Sequence, residues 1–360
     1  MNSLSKQTSQ KIMTCIVGDF SEYTLESSYL SAFRQLEIPV KVFEISHHSP
    51  DVNALAKNRY IHRLTINSLS LRKRFSVRLN LRLVDFIKQE QCGRVIFFNG
   101  FWIMPETIEI LKSMDVETAV FFADNPLPGH YNNRPETMPV AACVDLFFVW
   151  SFNLRDKLHR QGISAARFLP FGWDKYMMPA AKSQTSQQQY NTVFIGGWSL
   201  EREEFLESLG AEIDLSIFGP DYWKDRTKKT GMINSLLKGG EKTGSDFADI
   251  VRSASVNLNI LRNQHKIDGR PDGVIMRHFE VPGCGGFLLS TRTETALSLF
   301  EEGVAGAYFD TIEECADKVR FYERHPTLRD QIRGEAHNLV KKEYQYTHNV
   351  LRMNDLFQSL

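Results

Sequence analysis

The sequence predicts an α/β protein made of two doubly wound units of similar size. Three observations carry this. Short apolar runs, rich in Val, Ile and Phe, have the pattern of strands buried on both faces of a parallel sheet. Segments of helical periodicity separate them, so strands and helices alternate. A polar, low-complexity stretch at 179–190 (P-A-A-K-S-Q-T-S-Q-Q-Q-Y) divides that alternation into two halves.

The 360 residues suffice for two ordinary domains. Lys and Arg (43) balance Asp and Glu (43), so nothing global draws the chain to nucleic acid, and any basic feature must be local. The five cysteines are scattered without a C-x-x-C pair, which fits a reducing compartment and argues against a zinc site or a disulfide framework. Residues 1–10 are polar, and the apolar run Ile12 to Val17 is too short for a signal peptide or a membrane span. The expectation is a soluble, cytoplasmic protein.

In the first half, strands are expected at Lys11–Gly18, Val40–Ile45, Arg94–Asn99, Thr118–Ala123, Asp145–Ser151 and Ala166–Pro170. Helices are expected at Ser27–Leu36, Pro105–Met114 and Asn153–Gln161. The opening strand ends in Gly18-Asp19 without G-x-G-x-x-G, so the dinucleotide fingerprint is absent. Asp19 is either a ligand-facing residue or a loop cap. Asp124 closes the strand at 118–123, where parallel sheets build their sites, and is a candidate acid, base or substrate contact. Residues 53–91 predict one or two helices that are strongly basic between 59 and 88. That face suits an anionic membrane surface, a phosphorylated acceptor, or simply solvent.

The second half begins again with a strand, Thr192–Ile195, a turn at Gly196-Gly197, and a helix from Glu201 capped by Ser199. Such a unit binds anions, because helix N-termini and glycine turns expose free N–H groups. Arg202 in the first helical turn opposes the helix dipole, which a bound phosphate or an i,i+4 surface partner would explain. Strands follow at Ile213–Phe218, Val256–Leu261, Phe287–Ser290 and Ala307–Phe309, with residues 221–244 read as a loop with a short helix. Between them lies Asp272 to Gly286 (D-G-V-I-M-R-H-F-E-V-P-G-C-G-G). It sets Asp272 and Glu280 eight positions apart, with Gly273 after the first acid and Gly283, Gly285 and Gly286 after the second. A carboxylate there can accept two hydrogen bonds from a ribose diol; the plainer alternative is a capping Glu and a solvated Asp. The last helix, roughly Gln345–Phe357, has no strand to serve.

Four segments carry a resemblance: V-F-I-G-G-W-S-L-E-R-E-E-F-L at 193–206, L-S-I-F-G-P-D-Y-W at 215–223, R-H-F-E-V-P-G-C-G-G-F-L-L-S at 277–290, and Y-T-H-N-V-L-R near the end. They resemble the C-terminal domain of GT-B glycosyltransferases, most closely the group similar to the spore-maturation protein CgeB. The resemblance implies two Rossmann-like domains facing a cleft, an acceptor domain at 11–178 and a donor domain at 190–344, with the helix at 345–360 crossing back to the first. It implies transfer of a sugar from a nucleoside-diphosphate donor to a glycan, lipid-linked or other acceptor, retaining and without a metal. Glu280 would bind the ribose. Gly196, Gly197, Arg202, Gly273, Arg277, Gly285 and Gly286 would surround the diphosphate, unless Arg277 pairs internally with Glu280. Asp272 stands where retaining relatives carry a Glu that holds the donor sugar, one methylene shorter. Asp124 would face the sugar and acceptor. The rival readings are a GT-B-like sugar-nucleotide epimerase and a non-catalytic nucleotide-sugar-binding protein.

Overall fold

The computed structural model describes residues 12–45, 69–130, 134–179, 188–227 and 231–360, without the side chains of 69–75 and 231. Most of the basic run at 59–88, the N-terminal ten residues and most of the polar stretch at 179–190 lie outside the described residues. Arg78, Arg82 and Lys88 belong to a described helix, Leu69–Gln89. Among the described residues no helix is long and apolar enough to cross a membrane.

Two compact units emerge. The first comprises Met1–Phe148, Gly162–Arg167 and Met353–Leu360; the second comprises Val149–Gln161 and Phe168–Arg352. The first is organised by six strands: β1 (Thr14–Gly18), β2 (Val40–Glu44), β3 (Arg94–Phe98), β4 (Glu117–Phe121), β5 (Leu146–Val149) and β6 (Ala166–Phe168). Their spatial order is β2-β1-β3-β4-β5-β6, with parallel pairing from β2 through β5. The residues of β1, β3 and β5 are buried throughout, as their continuous apolar runs require. Tyr29, Phe98 and Phe121 form a ring cluster over this sheet, with centroids 5.0 to 6.0 Å apart.

The second unit has a six-stranded sheet ordered β14-β13-β10-β7-β8-β9. Its strands are β7 (Tyr190–Ile195), β8 (Leu215–Phe218), β9 (Leu237–Gly239), β10 (Ala254–Asn259), β13 (Leu288–Thr291) and β14 (Ala307–Phe309). A small antiparallel hairpin, β11 (Lys266–Ile267) and β12 (Arg270–Pro271), follows β10. All pairings within the six-stranded sheet are parallel. One face buries Phe194, Ile217, Trp223 and Leu258, the other Val193, Phe247, Val251 and Val281. The chain runs from β7 outward to β8 and β9, then returns past β7 to β10. The strand order therefore reverses between β7 and β10, and a crevice opens at their carboxyl ends.

Three elements differ from the sequence reading. Residues 221–244 hold two short helices, Tyr222–Arg226 and Gly231–Leu236, and the edge strand β9, where a loop with one helix was expected. Arg277–Gly283 is a buried helix despite Pro282, which has no N–H to give the His278 carbonyl. The chain passes from the first unit to the second after Phe148 and again after Arg167, both ahead of the polar stretch; Ser151, which caps the helix Phe152–Arg160, is bonded to Asp272 within the second unit. The terminal helix, Tyr346–Gln358, does serve both units, as its crossing role requires. Asn349 donates to the Pro170 carbonyl (2.7 Å) within the second unit, while Arg94 of the first donates to Asn354 (2.5 Å) and lies 4.0 Å above the Phe357 ring.

Candidate functional site

The switch point of the second sheet is lined by arginines. β7 ends at Ile195, and the turn Gly196-Gly197 follows. The Gly196 N–H donates to Phe218 O (3.0 Å), and its carbonyl accepts from the Trp223 indole (2.9 Å). A Cβ on Gly197 would overlap the Arg262 guanidinium and stand 2.6 Å from the Tyr222 hydroxyl, so a larger residue there would displace the ends of both side chains. Ser199 caps the helix Leu200–Gly210 as expected.

Arg202 is buried and bound to the backbone. Its Nε and Nη2 donate to Ile260 O (2.9 and 2.6 Å), and its Nη1 donates to Gly197 O (3.0 Å). These bonds brace the glycine turn against the segment that follows β10. Burial, then the fields of Arg262 and Arg277, pull its pKa down to about 9. Arg277 is ion-paired with Glu280, the internal alternative, and also donates to Ile195 O (3.3 Å) and covers the Phe247 ring at 4.4 Å. Glu280 is 2% exposed. Gly196, Gly197, Arg202, Arg277 and Glu280 are thus brought together at the carboxyl ends of β7 and β10.

Sequence reasoning passed over Arg262. It leaves the end of β10, is half-buried, and has no hydrogen bond or ion pair between its guanidinium and any described residue; its Nε is buried without a partner. A guanidinium held there beside two others, with no acid of its own, is costly unless an anion arrives. Its place after a buried strand at the reversal of strand order was the available signal. His265 sits just beyond, 7% exposed and edge-on to the Trp150 ring (5.1 Å); burial, Arg202, Arg262 and His278 pull its pKa down to about 3, so it is neutral.

Asp272 is not free to hold a sugar. It is 3% exposed, and its carboxylate accepts from Ser151 Oγ, Asn153 Nδ2 (3.4 Å) and Thr295 Oγ1 (3.4 Å). Its N–H donates to His265 O (2.8 Å). Burial raises its pKa against those hydrogen bonds. The residue ties the loop at 272 to the starts of the helices Phe152–Arg160 and Glu294–Leu299. Gly273 serves the same junction: its φ is +74°, and a Cβ would run into the Trp150 ring.

Gly285 and Gly286 lie elsewhere than expected. The helix Arg277–Gly283 starts near the carboxyl edge and ends at the amino end of β13, so the glycines close its far end. Gly285, at φ +87°, donates to Pro282 O and Gly286 to Val281 O, both at 2.9 Å, which is a Schellman termination. They are helix-ending residues. In the first unit Asp124 follows the carboxyl end of β4 and is half-buried. Asp19 is a loop residue, its carboxylate accepting from the Ser21 N–H (3.1 Å).

Residues 202–355 match the family model described as glycosyl transferase-like. The match lies within the second half of the chain. Among solved structures, HepE of Anabaena, determined with UDP-glucose, is 13% identical with a TM-score of 0.64 over 97% of this chain and 100% of that one. Sucrose-phosphate synthase from Thermosynechococcus elongatus is 9% identical, TM-score 0.66, over 96% and 98%. The lipopolysaccharide outer core galactosyltransferase WaaB is 12% identical, TM-score 0.61, over 97% and 100%. At these identities the likeness shows the fold alone, which is that of GT-B glycosyltransferases. No curated protein matches the chain by sequence.

Proposed function

We propose that this glycosyltransferase transfers a sugar from a nucleoside-diphosphate donor seated at the β7/β10 switch point, with retention and without a metal. The observation that carries this is Arg262, a half-buried guanidinium without an acid partner among the described residues, set against the Gly196-Gly197 turn. The diphosphate lies against Gly196-Gly197 and is met by Arg262, with Arg277 next to it. Negative charge grows on the leaving diphosphate as the sugar departs, and fixed cations stabilise it there. Arg202 braces the turn and holds those groups in place. Glu280 has acceptor positions beyond the Arg277 pair, because a carboxylate offers about four lone-pair sites, and takes the ribose diol with them.

Asp124 is the acceptor-side carboxylate in this reading, and the acceptor is a glycan or a lipid-linked glycan. The UDP-glucose complex of HepE supports the donor class. Retention rests on the resemblance in the sequence.

The experiment is a panel of nucleotide sugars with glycan acceptors in EDTA, following released nucleotide and the anomeric configuration of the product by NMR. Glu280→Gln should lower kcat/KM about 10- to 100-fold, the worth of a charged hydrogen bond, while the protein stays folded. Normal kinetics in Glu280→Gln would remove its assigned role. Donor turnover without an acceptor would point to epimerisation or hydrolysis instead.

A further inference from the structure

A pocket of about 160 Å³ opens beside the glycine turn, at the carboxyl ends of β8 and β9. Trp223 and Leu237 supply its apolar wall; Asp221 and Lys224 come from the segment after β8, and Lys238 from β9. The pocket is joined to the switch point through Trp223, whose indole N–H is bonded to Gly196 O (2.9 Å). It is too small for a whole nucleotide sugar. A cavity of roughly 150 Å³ accepts one benzene-sized ring, so this open one takes a planar ring system with an edge left in solvent.

The rim decides which ring. Asp221 and Lys224 are exposed, and neither is paired with a described residue. Lys238 spends one of its three donors on Ser235 O (2.9 Å). The pocket thus offers one carboxylate that accepts N–H groups and two ammonium groups that donate. Guanine presents O6 and N7 as acceptors, and its N1–H and amino group form a pair of adjacent donors on the next edge. A carboxylate receives two such parallel N–H bonds well. Uracil has a single N–H between two carbonyls. In cytosine and adenine a bare ring nitrogen beside the amino group would face the carboxylate.

We propose that this pocket is the base subsite of the donor and that it selects guanine, so that the sugar is carried by GDP. The proposal rests on the nucleotide-sugar reading above, and the test separates the two. Titration calorimetry of the full chain with GDP, UDP, CDP and ADP should show GDP binding at least about tenfold more tightly than the others, the discrimination of one good bidentate pair. Asp221→Asn should weaken GDP about tenfold and leave UDP within about twofold. UDP binding as tightly as GDP, or a GDP preference that survives Asp221→Asn, would overturn the base assignment while leaving the nucleotide site standing. No binding by any of the four would overturn both.

Discussion

Replacing Arg262 by Met should move stability and affinity in opposite directions. The stem is kept, so packing against Gly197 changes little, and only the charge and its N–H groups are lost. In the free protein that guanidinium has no described acid, its Nε is buried without a partner, and Arg202 lies close enough to feel its field. Leaving a buried donor unsatisfied costs about 1–3 kcal/mol. Its removal should therefore leave the melting temperature unchanged or raise it, by up to several degrees for a chain of this size. With a nucleoside diphosphate bound, the same group makes a charge-assisted hydrogen bond worth about 1.5–3 kcal/mol. Its loss should raise Kd about 10- to 150-fold. Calorimetric melting together with GDP and UDP titrations measures both quantities on one sample. A fall in melting temperature with unchanged Kd would make Arg262 a structural residue and refute the reasoning.

Two further outcomes follow from the geometry. Gly273→Ala should destabilise by more than about 3 kcal/mol, because a Cβ meets the Trp150 ring as well as a left-handed backbone; Gly285→Ala, with open space around it, should cost only the backbone term of about 1–2 kcal/mol. Equal losses in denaturant melts would contradict the packing account. Stability should also fall as pH drops from about 6.5 toward 4. His278 is neutral in the fold, with burial pulling its pKa down to about 4, whereas the unfolded chain protonates near 6.5. The unfolded state binds the extra proton, so about 3 kcal/mol is lost across that window, and His265 adds in the same direction. Asp272 opposes this at the acid end, since its raised pKa favours the protonated fold. A flat stability between pH 7 and 5 would show that these imidazoles are not held neutral.

Most strands were legible because parallel sheets bury both faces, and the runs around Ile16, Phe97 and Val120 are apolar without alternation. Glu280 and the Gly196-Gly197 turn were legible because a strand, a glycine turn and a spaced carboxylate are local patterns. What escaped depends on topology. Arg262 becomes informative only once β10 is known to lie beside β7. The role of Arg202 depends on the Ile260 carbonyl, 58 residues away. Gly285 and Gly286 suggested an anion turn because glycine is the residue for both anion loops and helix endings, and sequence alone does not say which end of the helix at 277–283 they occupy. Helix length settles it: seven residues rise about 10 Å, enough to separate the two edges of the sheet.

Asp272 and Glu280 share one motif in the sequence and part company in the structure. Glu280 sits in the first turn of a helix that starts at the switch point, and its carboxylate is paired with Arg277 there. Asp272 precedes that helix and meets Ser151, Asn153 and Thr295, which leave its oxygens no outward direction. The shorter side chain is what that site accommodates. Adding one methylene in a position 3% exposed forces the carboxylate into its own partners, a strain of about 1–3 kcal/mol. Asp272→Glu should therefore lower stability by that amount and leave the donor Kd unchanged. If the residue instead reached for the sugar, the longer chain would tighten donor binding or raise kcat without a stability loss. Melting and donor titration of Asp272→Glu separate these outcomes, and a gain in transfer would return Asp272 from an anchor of the loop to a ligand of the donor.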